Sequence, residues 1–243
     1  MRGDLKSDKY FADLLSDEDE EISDLNELIN QAGVEQGDDS AGVRNGYQFL
    51  QSSYLKQFDL IYTLGTQDER LPHSFAELLK YTALTCDPET DSYFDLVKVL
   101  SLVVLFGADP TVADLSMLLG KLRETHIEDY LLDRLCGRLD PSWPYRCETF
   151  RWKNTFEPLK PVLESPDEHG IDELQAFLRK RWLMIHRGCW WYGGHKSDSV
   201  PYYGYWAYEC AAVVKMAGLD DGPLQGERWY PYDLAHRQAC SEE

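Results

Sequence analysis

His186, Cys189 and His195 fall within one ten-residue stretch, and imidazole and thiolate are preferred ligands of zinc. Asp198 or Cys210 would complete a set of four. The spacing fits no compact zinc pattern, however, and Trp190 and Trp191 interrupt it. Packing of a cysteine and two histidines among aromatics is the stronger reading. Hydrolysis is a second chemistry to weigh, with Ser197 or Ser199 as nucleophile, His195 as base, and Asp198 or Glu209 to orient it. Such a serine needs an oxyanion hole and a base within reach, and neither serine sits in a nucleophile elbow. Gly193-Gly194 and Gly204 lack the spacing and the preceding strand of a phosphate loop. No catalytic, metal or cofactor-binding residue is assigned. A metal-dependent or hydrolytic enzyme using His186, Cys189 and His195 stands as the alternative.

Carboxylates make the other candidate chemistry, electrostatic recognition. The chain has 43 acidic and 24 basic residues in 243, a formal charge of −19. That field repels nucleic acids and anionic membranes and attracts basic partners. The excess is concentrated: residues 1 to 39 hold thirteen acids and three bases. Within that stretch Asp17, Glu20, Asp24 and Glu27 recur at helical steps and are expected on the solvent face, as a surface for a basic protein partner. Six scattered cysteines imply a reducing compartment. The opening residues carry no apolar signal core, and the run Val99 to Phe106 is too short to span a bilayer. A soluble, cytoplasmic protein is expected.

The elements that must position these groups read as helices throughout, so the expected class is all-α. Ser7 is a candidate N-cap for a long helix with Phe11, Leu15, Ile22, Leu25, Ile29 and Ala32 inward, ending near Gly33. A second helix fits Val43 to Ile61. A third surrounds Phe75 to Thr82 after Pro72, and a fourth, Thr90 to Phe106, is apolar enough to be central. Asp109-Pro110 reads as a helix start, and helices are expected through Leu119 and from Ile127 to Leu139. Two prolines in Asp140-Pro141-Ser142-Trp143-Pro144 mark a junction, giving domains 1–139 and 140–243. Ser165-Pro166-Asp167-Glu168 reads as a capping box. A last helix is expected from Tyr202 to Ala217, stopped by Gly218, with Ser197, Asp198 or Ser199 capping its start and Tyr232 and Leu234 clasped on it. On it Trp206, Cys210 and Val213 form a core-like face. Glu209 is expected to be buried with Lys196 or His195 as its partner.

The final fifth of the chain carries the most distinctive order: His195-Lys196, then Gly204-Tyr205-Trp206-Ala207-Tyr208-Glu209, a Gly218-Leu219-Asp220-Asp221 break, and Tyr230-Pro231-Tyr232-Asp233-Leu234. This pattern resembles the C-terminal half of the PoNi family, bacterial immunity proteins that neutralise PoNe-type DNase toxins. The opening Arg2-Gly3-Asp4-Leu5-Lys6 with Tyr10-Phe11 resembles the family's N-terminal domain, as does Tyr93-Phe94 leading to Leu100-Ser101-Leu102. The resemblance implies two consecutive helical domains in one multi-helix bundle and no catalytic residues or cofactor. It implies His195, Lys196, Tyr205, Trp206, Glu209, Tyr232 and Asp233 as a structural motif. The implied partner is a nuclease toxin, often delivered by a type VI secretion system, met in the bacterial cytoplasm. Asp17, Glu20, Asp24 and Glu27 are the expected toxin-binding residues, with Trp143 or Tyr145 as an apolar anchor. Gly193-Gly194 departs from the family, which more often has a polar or acidic residue before the histidine.

Overall fold

The computed structural model describes residues 2–3, 5–89, 92–107, 112–165 and 168–237. The Thr90 and Asp109-Pro110 helix starts, the Pro166-Asp167 part of the capping box, Asp4 and Cys240 lie outside the described residues. The fold is all-α, and no strand occurs among the described residues. The chain groups into two compact units drawn from separate stretches. The first takes Met1–Cys86, Ala113–Leu118 and Gly193–Tyr205; the second takes Asp87–Val112, Leu119–Tyr192 and Trp206–Glu243. Residue 140, where the two prolines mark a junction, lies inside a stretch of the second unit.

The first unit is built on a helical hairpin. Helix α1 (Asp8–Gln36) begins at Ser7, whose hydroxyl accepts the Tyr10 amide, and runs three residues past Gly33. Helix α2 (Ala41–Leu64) begins at Ser40 in the same way and ends at Gly65 in the left-handed conformation. Ile29 of α1 sits where Gly46 of α2 has no side chain, so the two helices approach closely. Helix α3 (Leu71–Thr85), with proline in its first turn, packs on α2. Phe11, Leu15, Leu50, Phe58 and Leu78 supply the core.

The second unit centres on α4 (Tyr93–Phe106), capped by Ser92 and closed by left-handed Gly107. Helix α5 (Ala113–Glu124) contributes its C-terminal part, and α6 (Tyr130–Leu139) packs on α4. An irregular stretch leads to α7 (Leu159–Glu164) and α8 (Glu168–Phe177). A π-helical turn, Leu178–Trp182, joins α8 to the short α9 (Leu183–Ile185). Helix α10 (Tyr208–Ala217) packs on α4 and α7, and α11 (Tyr232–Ala235) packs on both α4 and α10.

The irregular stretch after α6 is pinned by two carboxylates one turn apart on that helix. Asp129 caps α6 through the Leu132 amide at 3.0 Å. Its other oxygen accepts from the Arg151 amide at 2.9 Å and the Tyr93 hydroxyl at 3.1 Å. Asp133 accepts from Trp143 Nε1 at 3.0 Å and the Cys147 amide at 2.7 Å, with His126 Nε2 at 3.0 Å. A buried carboxylate needs such partners, and these convert a loop without its own secondary structure into a fixed surface.

Helix α10 starts at Tyr208, six residues later than the spacing of apolar residues predicts. Gly204 has φ of 116°, which no helix accommodates, and the Tyr202 amide donates to the Tyr10 hydroxyl at 2.8 Å instead of to a helical carbonyl. The start of α10 is set by Ala207, whose amide donates to the Trp229 carbonyl at 2.8 Å. Ser197 therefore caps no helix; its hydroxyl accepts from the amides of Ser199 and Val200 in a tight turn. Trp206, just before α10, is half-buried, whereas Cys210 and Val213 are fully enclosed. Gly218 ends α10 in the left-handed conformation, as its position predicts.

Candidate functional site

Helix α1 divides its acids between two rows. The inner row belongs to the fold: buried Glu18 pairs with Lys56 at 3.3 Å, and Asp19 accepts from Arg70 and from Gln57, each at 2.7 Å. Burial pushes the Glu18 carboxyl above its ordinary range while Lys56 opposes the shift. Glu18 sits in the 11–15–18–22 inward row, a slot that apolar spacing assigns to the core. That slot is the sequence signal that separates it from its acidic neighbours. The outer row is different. Asp17, Glu20, Asp24 and Glu27 are exposed and make no hydrogen bond or ion pair with any described residue. By contrast Asp13, one turn before Asp17, is held by Lys9 at 2.8 Å.

Within the first unit, the segment before Trp206 closes on α1 and α2. Tyr202 stacks obliquely on Phe11 with ring centres 5.6 Å apart. The Thr63 hydroxyl donates to the Tyr203 carbonyl at 3.1 Å, and the Lys56 ammonium lies over the Tyr203 ring. His195 Nδ1 and the Gly193 amide both meet the Tyr205 hydroxyl at 3.0 Å. Gly194 has no room for a side chain, because a Cβ there would press on the Pro201 carbonyl. That contact gives the glycine before His195 a steric reason.

In the second unit, Glu209 is buried at 4% exposure on the first turn of α10. Its carboxylate accepts from Trp182 Nε1, with the Cys210 thiol at 3.8 Å. Neither Lys196 nor His195 is its partner; the sequence-distant indole is. Burial raises the Glu209 carboxyl to about 7, with the Trp182 indole and the charge of Lys98 opposing the shift. His186 is also enclosed, its ring 4.6 Å from Phe94, 4.9 Å from Trp182 and 5.0 Å from Trp191. Its Nδ1 donates to the Trp182 carbonyl at 2.8 Å, and burial holds its pKa down at about 4. Cys189 is raised to about 11, chiefly by burial, which keeps it a thiol at neutral pH. Among the described residues no group of three or more His, Cys, Asp or Glu side chains is placed to hold a metal ion.

Near the end of the motif, Tyr230 donates to Asp221 at 2.7 Å, and His236 Nε2 lies 3.1 Å from the same carboxyl. Asp221 comes from the Gly-Leu-Asp-Asp break and Tyr230 from the Tyr-Pro-Tyr-Asp-Leu end, so this pair fastens the two parts of the pattern together. Tyr232 is half-buried and Asp233 exposed, while Leu234 is enclosed at 2% exposure.

Residues 127–234 match the family model for PoNe immunity proteins (PoNi), C-terminal. Over this segment the chain is similar to the PoNi-type immunity family. The PoNi segment contains α6 with its two carboxylates, the Trp182–Glu209 pair and the Tyr230–Asp221 fastening; α1 lies outside it. The crystal structure of protein PA2201 from Pseudomonas aeruginosa is similar, with a TM-score of 0.64 over 90% of this chain and 87% of that one. At 18% identity this likeness speaks for the fold, and it extends beyond the PoNi segment. No curated protein matches the chain. Among the described residues, no helix is long and apolar enough to cross a membrane.

Proposed function

We propose that this chain is an immunity protein that binds a PoNe-type nuclease toxin in the bacterial cytoplasm, and that it does so without catalysing a reaction. The PoNi match over residues 127–234 carries this reading. The binding surface is the outer row of α1, and the observation favouring it is that Asp17, Glu20, Asp24 and Glu27 are exposed and make no ion pair with any described residue. At ~1.5 Å of rise per residue the row covers roughly 15 Å, close to the axial length of about four phosphates on one DNA strand. A nuclease must offer a basic groove to DNA. A rigid helix bearing carboxylates over that length competes for the groove with the substrate, and the opposite fields speed the encounter. The family resemblance adds delivery of the toxin by a type VI secretion system.

The test replaces Asp17, Glu20, Asp24 and Glu27 with lysine and measures association with the cognate toxin by stopped-flow. The association rate is expected to fall by at least about tenfold at low salt, where steering is strongest. Circular dichroism checks that α1 remains helical. A folded variant that associates as fast as the parent removes α1 as the binding surface. A parent that neither binds nor inhibits the nuclease encoded beside it removes the immunity reading itself.

A further inference from the structure

A cavity of about 270 Å³ opens in the second unit, walled by α6, the Asp140–Arg146 stretch and the last turn of α10. Its walls carry Arg134, Arg138 and Arg146, with Trp143 and Tyr145 as aromatic surfaces. This concentration of guanidinium groups runs against the composition of a chain with 43 acids and 24 bases. The acids lining the cavity are held by other partners. Asp133 is committed to Trp143, Cys147 and His126. Asp140 is taken by Arg123 and Ser142. Arg134 lies over the Tyr130 ring at 4.9 Å and has Glu164 at 4.0 Å. Arg138 and Arg146 are exposed and make no hydrogen bond or ion pair with any described residue.

Two further observations point the same way. Gly137 lies within α6 on the cavity wall, and a Cβ there would meet nothing within 4 Å. Glycine inside a helix costs roughly 0.5–1 kcal/mol against alanine, and here no packing contact requires it. Its effect is to leave the wall open. Lys215 is held below its ordinary pKa, by burial first and then by the charge of Arg138, so the Arg138 charge acts on the same part of the unit.

We propose that this cavity is a binding site for a small molecule carrying an oxyanion, a carboxylate or a phosphate, held by Arg138 and Arg146 and packed against Trp143 and Tyr145. Guanidinium forks match the paired oxygens of both anions, and an aromatic wall beside them accepts the apolar part of the ligand. The volume is at the small end for ligand pockets, which suits a compact acid and not a nucleotide.

Calorimetry on the full chain without toxin tests this, using inorganic phosphate and succinate as probes and sodium chloride at matched ionic strength as control. Saturable binding of at least one probe is expected, and comparing the two separates phosphate from carboxylate ligands. Arg138→Glu combined with Arg146→Glu should weaken it at least about tenfold, the loss implied by reversing charge-assisted contacts. Gly137→Leu, which fills the cavity and leaves both arginines in place, should weaken it similarly while the helical signal is retained. The proposal is overturned if neither probe binds beyond the chloride control, or if both variants bind as the parent does. If neither probe binds and the double variant instead loses affinity for toxin, the arginines serve a protein contact and the small-molecule site is wrong. Toxin is absent from the primary measurement, so its outcome is independent of the immunity reading.

Discussion

Trp182 holds two buried titratable groups at once, its carbonyl accepting from His186 and its indole donating to Glu209. Their effects on stability oppose one another. Glu209 rises from an ordinary 4.5 to about 7 on folding, so the folded state binds the extra proton. Its stabilising neutral form is complete below pH 4.5 and is lost as pH rises through 7. His186 falls from 6.5 to about 4, so the folded state refuses a proton; its contribution is complete above pH 6.5 and is lost as pH falls through 4. Between pH 4.5 and 6.5 the two slopes cancel in the parent. Lys98 acts on both groups, favouring the carboxylate and disfavouring the imidazolium. Glu209→Gln keeps an acceptor for Trp182 and cannot ionise. Its stability relative to the parent should climb above pH 4.5 and level off at about 3 kcal/mol above pH 7. His186→Phe should gain on the parent by a similar amount as pH falls from 6.5 to 4. Urea denaturation across this range reads both differences, and a difference that stays flat with pH would place that side chain outside the enclosed cluster.

At the scale of elements, two contacts carry more than their size suggests. Gly46 faces Ile29 across the α1–α2 hairpin, and an added methyl would overlap that side chain. Gly46→Ala improves helix propensity by up to about 1 kcal/mol, yet overpacking typically costs about 1–3 kcal/mol. Net destabilisation is expected, and a denaturant titration that finds stabilisation would mean the hairpin is looser than described. Asp133 is the second contact. Asp133→Ala leaves the Trp143 indole and the Cys147 amide without their acceptor, so a loss of about 2–4 kcal/mol is expected. Near-ultraviolet circular dichroism should show the tryptophan environment loosening, and an unchanged spectrum would argue against the pinning role. These elements differ in how far the sequence reveals them. Ser7 announces its helix by local side-chain chemistry, and Gly218 its stop. The Asp129 cap is also local, but the tie of Asp133 to Trp143 depends on how the intervening loop folds back.

At the scale of the whole molecule, the −19 charge makes encounter with a basic partner dependent on ionic strength. Screening shortens to ~10 Å at 0.1 M salt and ~3 Å at 1 M. Association of the parent with its toxin should therefore slow steeply with added salt while dissociation changes little. The lysine-substituted α1 variant should show a much flatter dependence. Surface-binding kinetics at several salt concentrations distinguish the two, and equal slopes would move the steering charge away from α1.

The sequence by itself determined the all-α class, most helix cores, the Ser7 cap and the Gly218 stop, because three- and four-residue apolar spacing and capping side chains act over one or two turns. It also determined the acidic outer row of α1 and the order of aromatic residues by which the PoNi resemblance is legible. Tertiary structure decided the rest. Glu209 meets Trp182 across 27 positions, not its near neighbours Lys196 or His195. The segment before Tyr208 stays extended because Gly204 and the Tyr10 hydroxyl outweigh helical propensity. Arg138 and Arg146 reach the cavity with Trp143 only once Asp133 has drawn the loop onto α6. Spacing along a chain reports which residues share a face. Which buried donor meets which acceptor depends on where distant elements pack, and no local pattern encodes that.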